Sequence, residues 1–382
     1  MGITLTNDLM RTHEAAFCSA PRELGHDPWS GYATKLWLES LPRLLLLLAF
    51  AGEIFVPVAA KATDRVNVVA STSDLAALAV EVGGDRVHVE SLIHGNQDPH
   101  YAQAKPSYLL KLRQADLLIV VGLQLEGAWL TEGHHRPSLM SQSGNPRIQP
   151  GSLGYFDASQ YVEILEVLKP PATPNIQVLG NPHYWLDPEN GRSIAQALAK
   201  RLGEIRPHDA SYFDDRFQAF SKRLSDAERV WDAEMQPYHG RKVVTYQRSW
   251  SYFLKRFQLV SVGEIEPQPG IPPSRTHTRE LIQTVKSENA RIILAEPYFE
   301  LNTAKAIARA TGAKIVVMPG SVGGESGIND YFQLFDHDLA LLTKALRETQ
   351  SRAQLVIPRP TPISCSRLEI SFDSFSSFLR SL

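Results

Sequence analysis

The sequence predicts an α/β protein with two similar parallel-sheet lobes, joined by one long backbone helix, and a cleft between the lobes. Three observations lead to this prediction. Short β-branched apolar runs alternate with helical patterns, which is typical of parallel strands connected by helices. The same order occurs in both halves of the chain of 382 residues, a length sufficient for two domains. Between the halves, residues 208–236 contain no Gly or Pro.

The first lobe is predicted to span residues 63–207. Its buried strands are expected at the runs VNVVAS, RVHVESLI and DLLIVVG, because such β-branched and apolar segments suit a covered parallel sheet. Helices are expected at SDLAALAVEVGG and PSYLLKLRQA. We expect Ser73 and Ser107 to cap these helices, since a serine hydroxyl can accept from a free N–H of the first turn.

The linking helix is predicted at residues 208–237. Apolar residues recur there every three or four positions, so they form one stripe on one face of a helix. The stripe consists of Phe213, Phe217, Phe220, Leu224, Ala227, Trp231 and Met235. Such a helix would run about 40 Å, long enough to connect both lobes as a stiff strut.

The second lobe is predicted at residues 238–346 and repeats the order of the first. Strands are expected at RKVVTY, LVSVGEI, ARIILAEP and AKIVVMPG. The helix in PPSRTHTRELIQTVKSEN is expected to begin at the cap Ser274, and the helix in NTAKAIARATG is expected to end at Gly312. Residues 347–382 carry Pro and Ser clusters without a clear period, and we treat them as a tail of unknown role.

Residues 1–62 are interpreted as a start region and a secretory signal peptide. Arg43 precedes a leucine-rich run that ends in the small residues AKA, a pattern typical of cleavage near Ala62. The run is shorter than the roughly 20 apolar residues that a spanning helix needs, although a membrane anchor or a buried helix is the alternative. Glu53 interrupts the run and the preceding segment is long, which a translation start nearer Leu41 would explain.

Cysteine content and charge narrow the class of protein. The only cysteines are Cys18 and Cys365, so residues 63–346 offer neither a disulfide framework nor a thiolate zinc site. No cysteine follows the apolar run closely enough to carry a lipid anchor. The formal net charge of −2 gives no basis for a nucleic-acid partner. These features predict a soluble protein of the periplasm.

Two histidines occur in matching surroundings. His100 and His183 each follow a proline and precede a tyrosine, and both lie in predicted loops of the first lobe. Loops at the carboxyl ends of parallel strands line the cleft of such folds. Neutral imidazole is a common ligand of zinc and other first-row divalent ions. The two are too far apart for a local motif such as H-E-x-x-H, so spacing alone leaves their role open.

Several longer segments resemble the zinc and manganese solute-binding proteins of ABC importers. The similarity covers most of residues 65–346. Its most specific segments are GNQDPHYAQAKPSYLLKLRQADLLIVVGLQLEGAWL, NPHYWLDPENGRSIAQALAKRL, SWSYFLKRFQL, GEIEPQPGIPPS and TGAKIVVMPGSVGG. The resemblance implies two α/β lobes on one backbone helix, with a metal ion held between them and passed to a membrane permease.

The resemblance also implies a set of metal ligands. His100 and His183 match the two histidine positions of the first lobe in the family pattern. The second lobe of the family usually supplies a His or Glu before the segment SWSYF, and Gln247 stands there. A further position, often Asp in the family, aligns with Asn329, and Asp330 is the next residue.

The two amides are a departure from the family pattern. Gln247 and Asn329 offer neutral carbonyl oxygens, which are weaker donors for zinc than imidazole and leave the charge of the ion uncompensated. We expect Asp330 or Glu325 to assist. The alternatives are a water molecule as a ligand, a low affinity or a changed selectivity.

Five further residues are candidates for roles near the site. Tyr101, Tyr184 and Trp185 are expected to wall the cleft. Asp187 is expected to cap the helix that follows it. Glu296 ends a predicted buried strand, where it could orient a ligand or simply pack at the strand end.

The function expected from these observations is that of a periplasmic solute-binding protein, acting as a monomer and without catalytic turnover. It would capture Zn²⁺, or Mn²⁺, and deliver it to the permease of an ABC importer in the inner membrane. The alternatives are an exported metal-dependent hydrolase, with Glu264 or Glu296 as its base, and an adhesion or interaction protein. Because histidine binds metal when neutral, affinity is expected to fall as the pH drops through about 6–6.5.

Overall fold

The protein is described by a computed structural model that covers residues 65–131, 138–167, 179–268 and 270–354. The predicted signal region and the tail from residue 355 onward lie outside the described residues. The described residues all fall within one compact unit of the chain. Within the described ranges, no helix is both long and apolar enough to cross a membrane.

The first lobe contains a parallel four-stranded sheet with the strand order β2-β1-β3-β4. Its strands are β1 (Val66–Ala70), β2 (Val87–Ser91), β3 (Leu117–Val120) and β4 (Tyr155–Asp157). Its helices are α1 (Ser73–Gly83), α2 (Pro106–Gln114), α3 (Leu139–Gln142) and α4 (Pro188–Ile205). The sequence did not predict β4, because three residues are too few to show a periodic pattern.

The second lobe repeats this arrangement, with a parallel sheet in the order β6-β5-β7-β8. Its strands are β5 (Lys242–Thr245), β6 (Val260–Glu264), β7 (Ile292–Ala295) and β8 (Lys314–Val317). Its helices are α6 (Ser251–Arg256), α7 (Arg275–Ser287), α8 (Asn302–Thr311) and α9 (Tyr331–Gln354). The prediction of two similar parallel-sheet lobes is therefore confirmed. Helix α9 continues into the segment that we had treated as a tail.

A single long helix, α5 (Ala210–Met235), connects the lobes, as predicted. Its 26 residues give a length of about 39 Å. It packs against α1 and α4 of the first lobe and against α9 of the second. The buried stripe matches the predicted one except that Glu228 is buried and Ala227 is only partly so. Glu228 binds Arg192 of α4 and lies 3.6 Å from Arg256, so one carboxylate links elements of both lobes.

Two of the predicted helix caps are wrong. Thr72, not Ser73, caps α1, and the hydroxyl of Ser73 instead donates to the backbone oxygen of Val322 at 2.6 Å. Ser107 lies inside α2, which begins with a proline and has no side-chain cap. Because the helix begins at Pro106, Lys105 holds the cap position and Ser107 lies one residue too late to be the cap. The cap Ser274 is confirmed.

The lobes also meet through the loop of residues 318–324 of the second lobe. The backbone N–H of Val322 donates to the carboxylate of Asp74 in α1 at 2.8 Å. Gly95 packs directly on the backbone of this loop, where a Cβ atom would overlap with the oxygen of Val322. The indole of Trp185 donates to the oxygen of Gly320 at 3.0 Å. These contacts hold the loops of the first lobe that carry the two histidines against the second lobe.

Candidate metal centre

Both histidines sit in the same kind of local turn. The side-chain oxygen of Asp98 accepts from the backbone N–H of His100 at 2.9 Å, and that of Asn181 accepts from the backbone N–H of His183 at 3.0 Å. An Asp or Asn that binds the backbone two residues ahead forms a compact turn that restricts the chain. The sequence pattern Asx-Pro-His-Tyr, present twice, thus builds two equivalent turns and places one histidine at the same position in each.

The two imidazoles meet. The Nε2 atoms of His100 and His183 lie 3.3 Å apart, and the ring centroids lie 5.2 Å apart. A tetrahedral zinc ion with two nitrogen ligands at about 2.05 Å would hold those nitrogens about 3.3 Å apart. The structure therefore brings together the two residues that the sequence singled out, at a separation that suits one shared ion.

The orientation of His183 is fixed by its neighbour. Its Nδ1 lies 2.9 Å from Oδ1 of Asn181, an atom that can only accept, so Nδ1 carries the proton and Nε2 is free to bind a ligand. Hydrogen bonds of this kind typically set the tautomer of metal-binding histidines. Asn181 was not singled out from the sequence, although its place two residues before a histidine, as with Asp98, was a usable signal.

Burial keeps both imidazoles neutral. It lowers the pKa of His100, and the negative charge of Asp98 opposes this effect. Burial lowers the pKa of His183 well below its usual value, and the nearby His100 acts in the same direction. Neutral imidazole is the form that binds metal, so the protein environment prepares both rings for a cation.

Gln247 lies just past the carboxyl end of the second-lobe strand β5. It follows β5, is only 3% exposed and precedes a short turn of helix, Arg248–Trp250. The amide nitrogen of Asn181 donates to the backbone oxygen of Arg248 at 2.7 Å. One asparagine thus binds the His183 ring and the residue that follows Gln247. The role of Gln247 as a ligand stays a prediction.

Two of the other three predicted oxygen donors have partners of their own. Asp330 caps α9, where one of its oxygens accepts from two backbone N–H groups of the first turn at 2.9 Å. Glu325 lies 3.3 Å from His337. Asn329 is exposed, and its backbone N–H binds the side chain of Gln333. The role of these three residues as ligands stays a prediction.

Glu296 is a buried carboxylate that has no partner. It follows the last residue of β7 and is 2% exposed. Ser249 and Trp250 lie beside it, yet within the described part of the chain neither carboxylate oxygen receives a hydrogen bond of normal geometry. Burial raises the pKa of Glu296 to about 7, and the charge of Asp98 in the first lobe adds to this increase.

The aromatic residues around the site divide between wall and core. Trp185 is buried, and its ring centroid lies 5.2 Å from that of His183. Tyr101 is 57% exposed. Tyr184 is fully buried and donates to the oxygen of Val121 at 2.5 Å, so the prediction that it walls the cleft is wrong.

The predicted cap at Asp187 is confirmed, because its side chain accepts from an N–H in the first turn of α4.

The described residues hold no cluster of three or more His, Cys, Asp and Glu side chains placed to bind a metal ion. The centre therefore rests on two imidazoles, and its further ligands must include neutral oxygens or a group that moves. Two imidazoles at this distance can bind one divalent ion. Such a site suits reversible capture, since the rings are already neutral and oriented.

Comparisons with known proteins agree with the fold. The sequence model of the family described as ZnuA, zinc-uptake complex component A, periplasmic, matches residues 68–345. The manganese ABC transporter substrate-binding lipoprotein scaA of Streptococcus gordonii is 25% identical over 318 residues, which cover 79% of this chain and 97% of the relative.

Two crystal structures resemble the whole two-lobed unit. One is a structure of ZnuA, with a TM-score of 0.62 and 25% identity, covering 74% of this chain and 99% of that one. The other is the laminin-binding protein Lmb of Streptococcus agalactiae, described as having adhesin and metal-transporting activity, with a TM-score of 0.60 and 25% identity over 73% and 98% of the two chains. Since the family model spans most of the sequence, the chain belongs to the family of the periplasmic component A of zinc-uptake complexes.

Proposed function

We propose that this protein is the solute-binding component of an ABC importer, and that it captures one Zn²⁺ ion between its lobes and delivers it to the permease in the inner membrane. The observation that supports this most strongly is the 3.3 Å separation of the Nε2 atoms of His100 and His183. Two neutral imidazoles at that distance can supply two of the four ligands of a tetrahedral zinc site.

The donor types favour zinc over manganese. Imidazole nitrogen suits Zn²⁺, whereas Mn²⁺ prefers carboxylate and other oxygen ligands. Relatives are named for zinc and for manganese, so family membership alone leaves the metal open. Because Gln247 is an amide, the site lacks at this position the charged carboxylate oxygen that manganese would favour. We therefore assign zinc as the preferred ion and manganese as a weaker competitor.

The proposed role requires export. The segment before residue 63 is interpreted as a signal peptide that is cut near Ala62, which would place the two-lobed unit in the periplasm. The relative scaA is named a lipoprotein, but the only cysteines of this sequence are Cys18 and Cys365. We infer that the unit acts without a lipid on a residue next to the cleavage site.

Calorimetric titration of the purified, chelator-treated protein with Zn²⁺ and with Mn²⁺ tests the proposal. We expect one-to-one binding that is tighter for zinc, and a loss of at least about 100-fold in affinity in both His100→Ala and His183→Ala. The exposed His239 offers a matched control, and His239→Ala should bind as the unmodified protein does. Unchanged binding in either site variant would contradict the proposal. Metal-dependent ester or peptide hydrolysis that disappears in His100→Ala would favour an enzyme instead.

A further inference from the structure

The proposed centre lacks negative charge. Two neutral imidazoles and the amide of Gln247 leave the charge of a divalent ion uncompensated. Zinc sites in proteins generally include thiolate or carboxylate ligands, or bind three histidines with a water molecule. The carboxylates predicted from the sequence are either capping α9 or paired with His337. A second-lobe acid that is free to bind the ion is therefore needed.

The side chain of Glu296 is a carboxylate of this kind. Its two carboxylate oxygens are buried, and Ser249 and the indole of Trp250 lie beside them without a hydrogen bond of normal geometry among the described residues. A buried polar group whose hydrogen bonds are poorly made is costly, and a charged one costs more. The carboxylate therefore retains the capacity to take a further ligand.

The sheet register places Glu296 beside Gln247. Strands β5 and β7 pair in parallel with Thr245 opposite Leu294, and the N–H of Tyr246 continues the ladder to the oxygen of Leu294 at 2.8 Å. Two residues beyond that pair, the same register aligns Gln247 with Glu296. Neighbouring parallel strands lie roughly 4.8 Å apart, so the two side chains start close together.

Strand alternation points both side chains to the same side of the sheet. Val243 of β5 and Leu294 of β7 contribute to the large central core, whereas Val244 and Ile293 contribute to a separate core on the other face. Side chains alternate between faces along a strand, so Gln247 and Glu296 share the face of Val243 and Leu294. That central core contains residues of both lobes.

A short chain of contacts joins Glu296 to the histidine pair. A Cβ atom at Gly320 would lie 4.0 Å from Cγ of Glu296 and 3.2 Å from the ring of Trp250, so these groups surround one point of the loop. The oxygen of Gly320 accepts from Trp185, whose ring lies against that of His183. Gly320 and Trp185 thus connect the Glu296 side chain to the ring of His183.

We propose that Glu296 is a metal ligand, supplying from the second lobe the negative charge that Gln247 does not carry. The inference rests on the proposed function, because it concerns the same ion. His100 and His183 would hold the ion from the first lobe, and Gln247 and Glu296 would approach it from two adjacent strand ends of the second. Since the described residues hold no preformed cluster of three such side chains, the carboxylate of Glu296 has to move towards the histidine pair when the ion binds. In this protein the anionic ligand would thus lie at the end of β7, rather than at the end of β5 where Gln247 stands.

Zinc titration of four variants tests this assignment. Glu296→Gln keeps the shape and removes the charge, and we expect a loss of about 100-fold in zinc affinity. Glu296→Asp, which keeps the charge, should remain within about tenfold of the unmodified protein. Adding Gln247→Glu to Glu296→Gln returns a carboxylate to the adjacent strand and should restore binding to within about tenfold. Asp338→Asn is the matched control, since Asp338 is a buried second-lobe carboxylate with an unpartnered oxygen, and it should bind normally.

The outcomes separate this assignment from the proposed function. Glu296→Gln binding zinc as tightly as the unmodified protein overturns the assignment and leaves the receptor function standing. Equal losses in Glu296→Gln and Asp338→Asn overturn it as well, because the effect would then reflect buried charge in general. Failure of Gln247→Glu to restore binding contradicts the charge argument. Absence of zinc binding in the unmodified protein overturns the proposed function itself. Thermal unfolding without metal should be alike in Glu296→Gln and Asp338→Asn.

Discussion

Asn181 fixes the imidazole of His183, with its Oδ1 2.9 Å from the Nδ1 of the ring. The same side chain donates from its amide nitrogen to the backbone oxygen of Arg248, in the second lobe. One residue therefore orients a first-lobe ligand and attaches it to the loop that carries Gln247. The geometry of the centre depends on this asparagine as much as on the rings.

Replacing Asn181 should weaken zinc binding. We expect Asn181→Ala to lower zinc affinity by about 10- to 100-fold, because the ring of His183 loses the acceptor that orients it. Asn181→Asp keeps that acceptor and should retain more of the affinity. Competition with a chromophoric chelator measures both. Asn302 is exposed, so Asn302→Ala is the control. Equal affinity in Asn181→Ala and in the control would contradict this role.

Metal binding should persist to lower pH than free histidine would allow. Burial lowers the pKa of both His100 and His183, so each ring stays neutral below its usual titration range. The fall in zinc affinity expected from the sequence at about pH 6–6.5 should therefore begin at lower pH. Titrations at pH 7.5, 6.5 and 5.5 measure this shift. A steep loss of affinity already between pH 7.5 and 6.5 would contradict it.

The contact of Gly95 with the second lobe has no room for a side chain. A Cβ atom there would overlap with backbone atoms of Val322 and Gly324, which cannot move aside as a flexible side chain would. We expect Gly95→Ala to lower the free energy of unfolding by about 1–3 kcal/mol and to weaken zinc binding by displacing the turn of His100. Urea unfolding and zinc titration measure the two effects.

Gly203 provides the control for this change. It lies in α4, where an added Cβ would meet only Ala210, at 3.2 Å. Alanine is also preferred to glycine inside a helix. Gly203→Ala should therefore leave stability unchanged or raise it. A Gly95→Ala protein as stable as Gly203→Ala would show that the two lobes do not need this close contact.

Asp74 should make stability depend on pH. Burial raises the pKa of Asp74 from 3.8 to about 7, so between those values the folded protein binds a proton that the unfolded chain releases. Stability from this group is therefore greatest below about pH 4 and is lost as the pH rises towards 7. Asp74→Asn removes the titration and keeps an acceptor for the N–H of Val322.

Urea unfolding at pH 5 and pH 7.5 tests this effect. The loss of stability between the two pH values should be smaller in Asp74→Asn than in the unmodified protein, by an amount on the order of a few kcal/mol. A difference of the same size in both proteins would mean that Asp74 does not contribute to the pH dependence. The contact between α1 and the loop of residues 318–324 would then be independent of charge.

The regular parts of the fold could be predicted from local pattern. The β-branched runs gave seven of the eight strands, and the spacing of Phe213, Phe217 and Phe220 identified the backbone helix. The caps Ser73 and Ser107 failed for different reasons. The hydroxyl of Ser73 has a partner on the other lobe, which no local rule can supply. Helix α2 begins one residue before Ser107, so this serine lies inside the helix.

Only the part of the site that lies in repeated local motifs could be predicted from the sequence. Both Pro-His-Tyr segments pointed to histidines that do meet in the structure. The position of Glu296 beside Gln247 depends on the pairing of β5 with β7, which are separated in sequence by another strand and two helices. Asp330 follows the aligned ligand position, but the free N–H groups at the start of α9 engage it. Register and competition for hydrogen bonds are properties of the folded chain.

The most direct test of the central claim is a crystal structure of the zinc-loaded protein, with the ion located by anomalous scattering at the zinc edge. We predict one zinc ion at about 2.0–2.1 Å from the Nε2 atoms of both His100 and His183, with its remaining ligands from oxygen. A zinc ion bound by only one of these histidines, or bound elsewhere on the protein, would contradict the account.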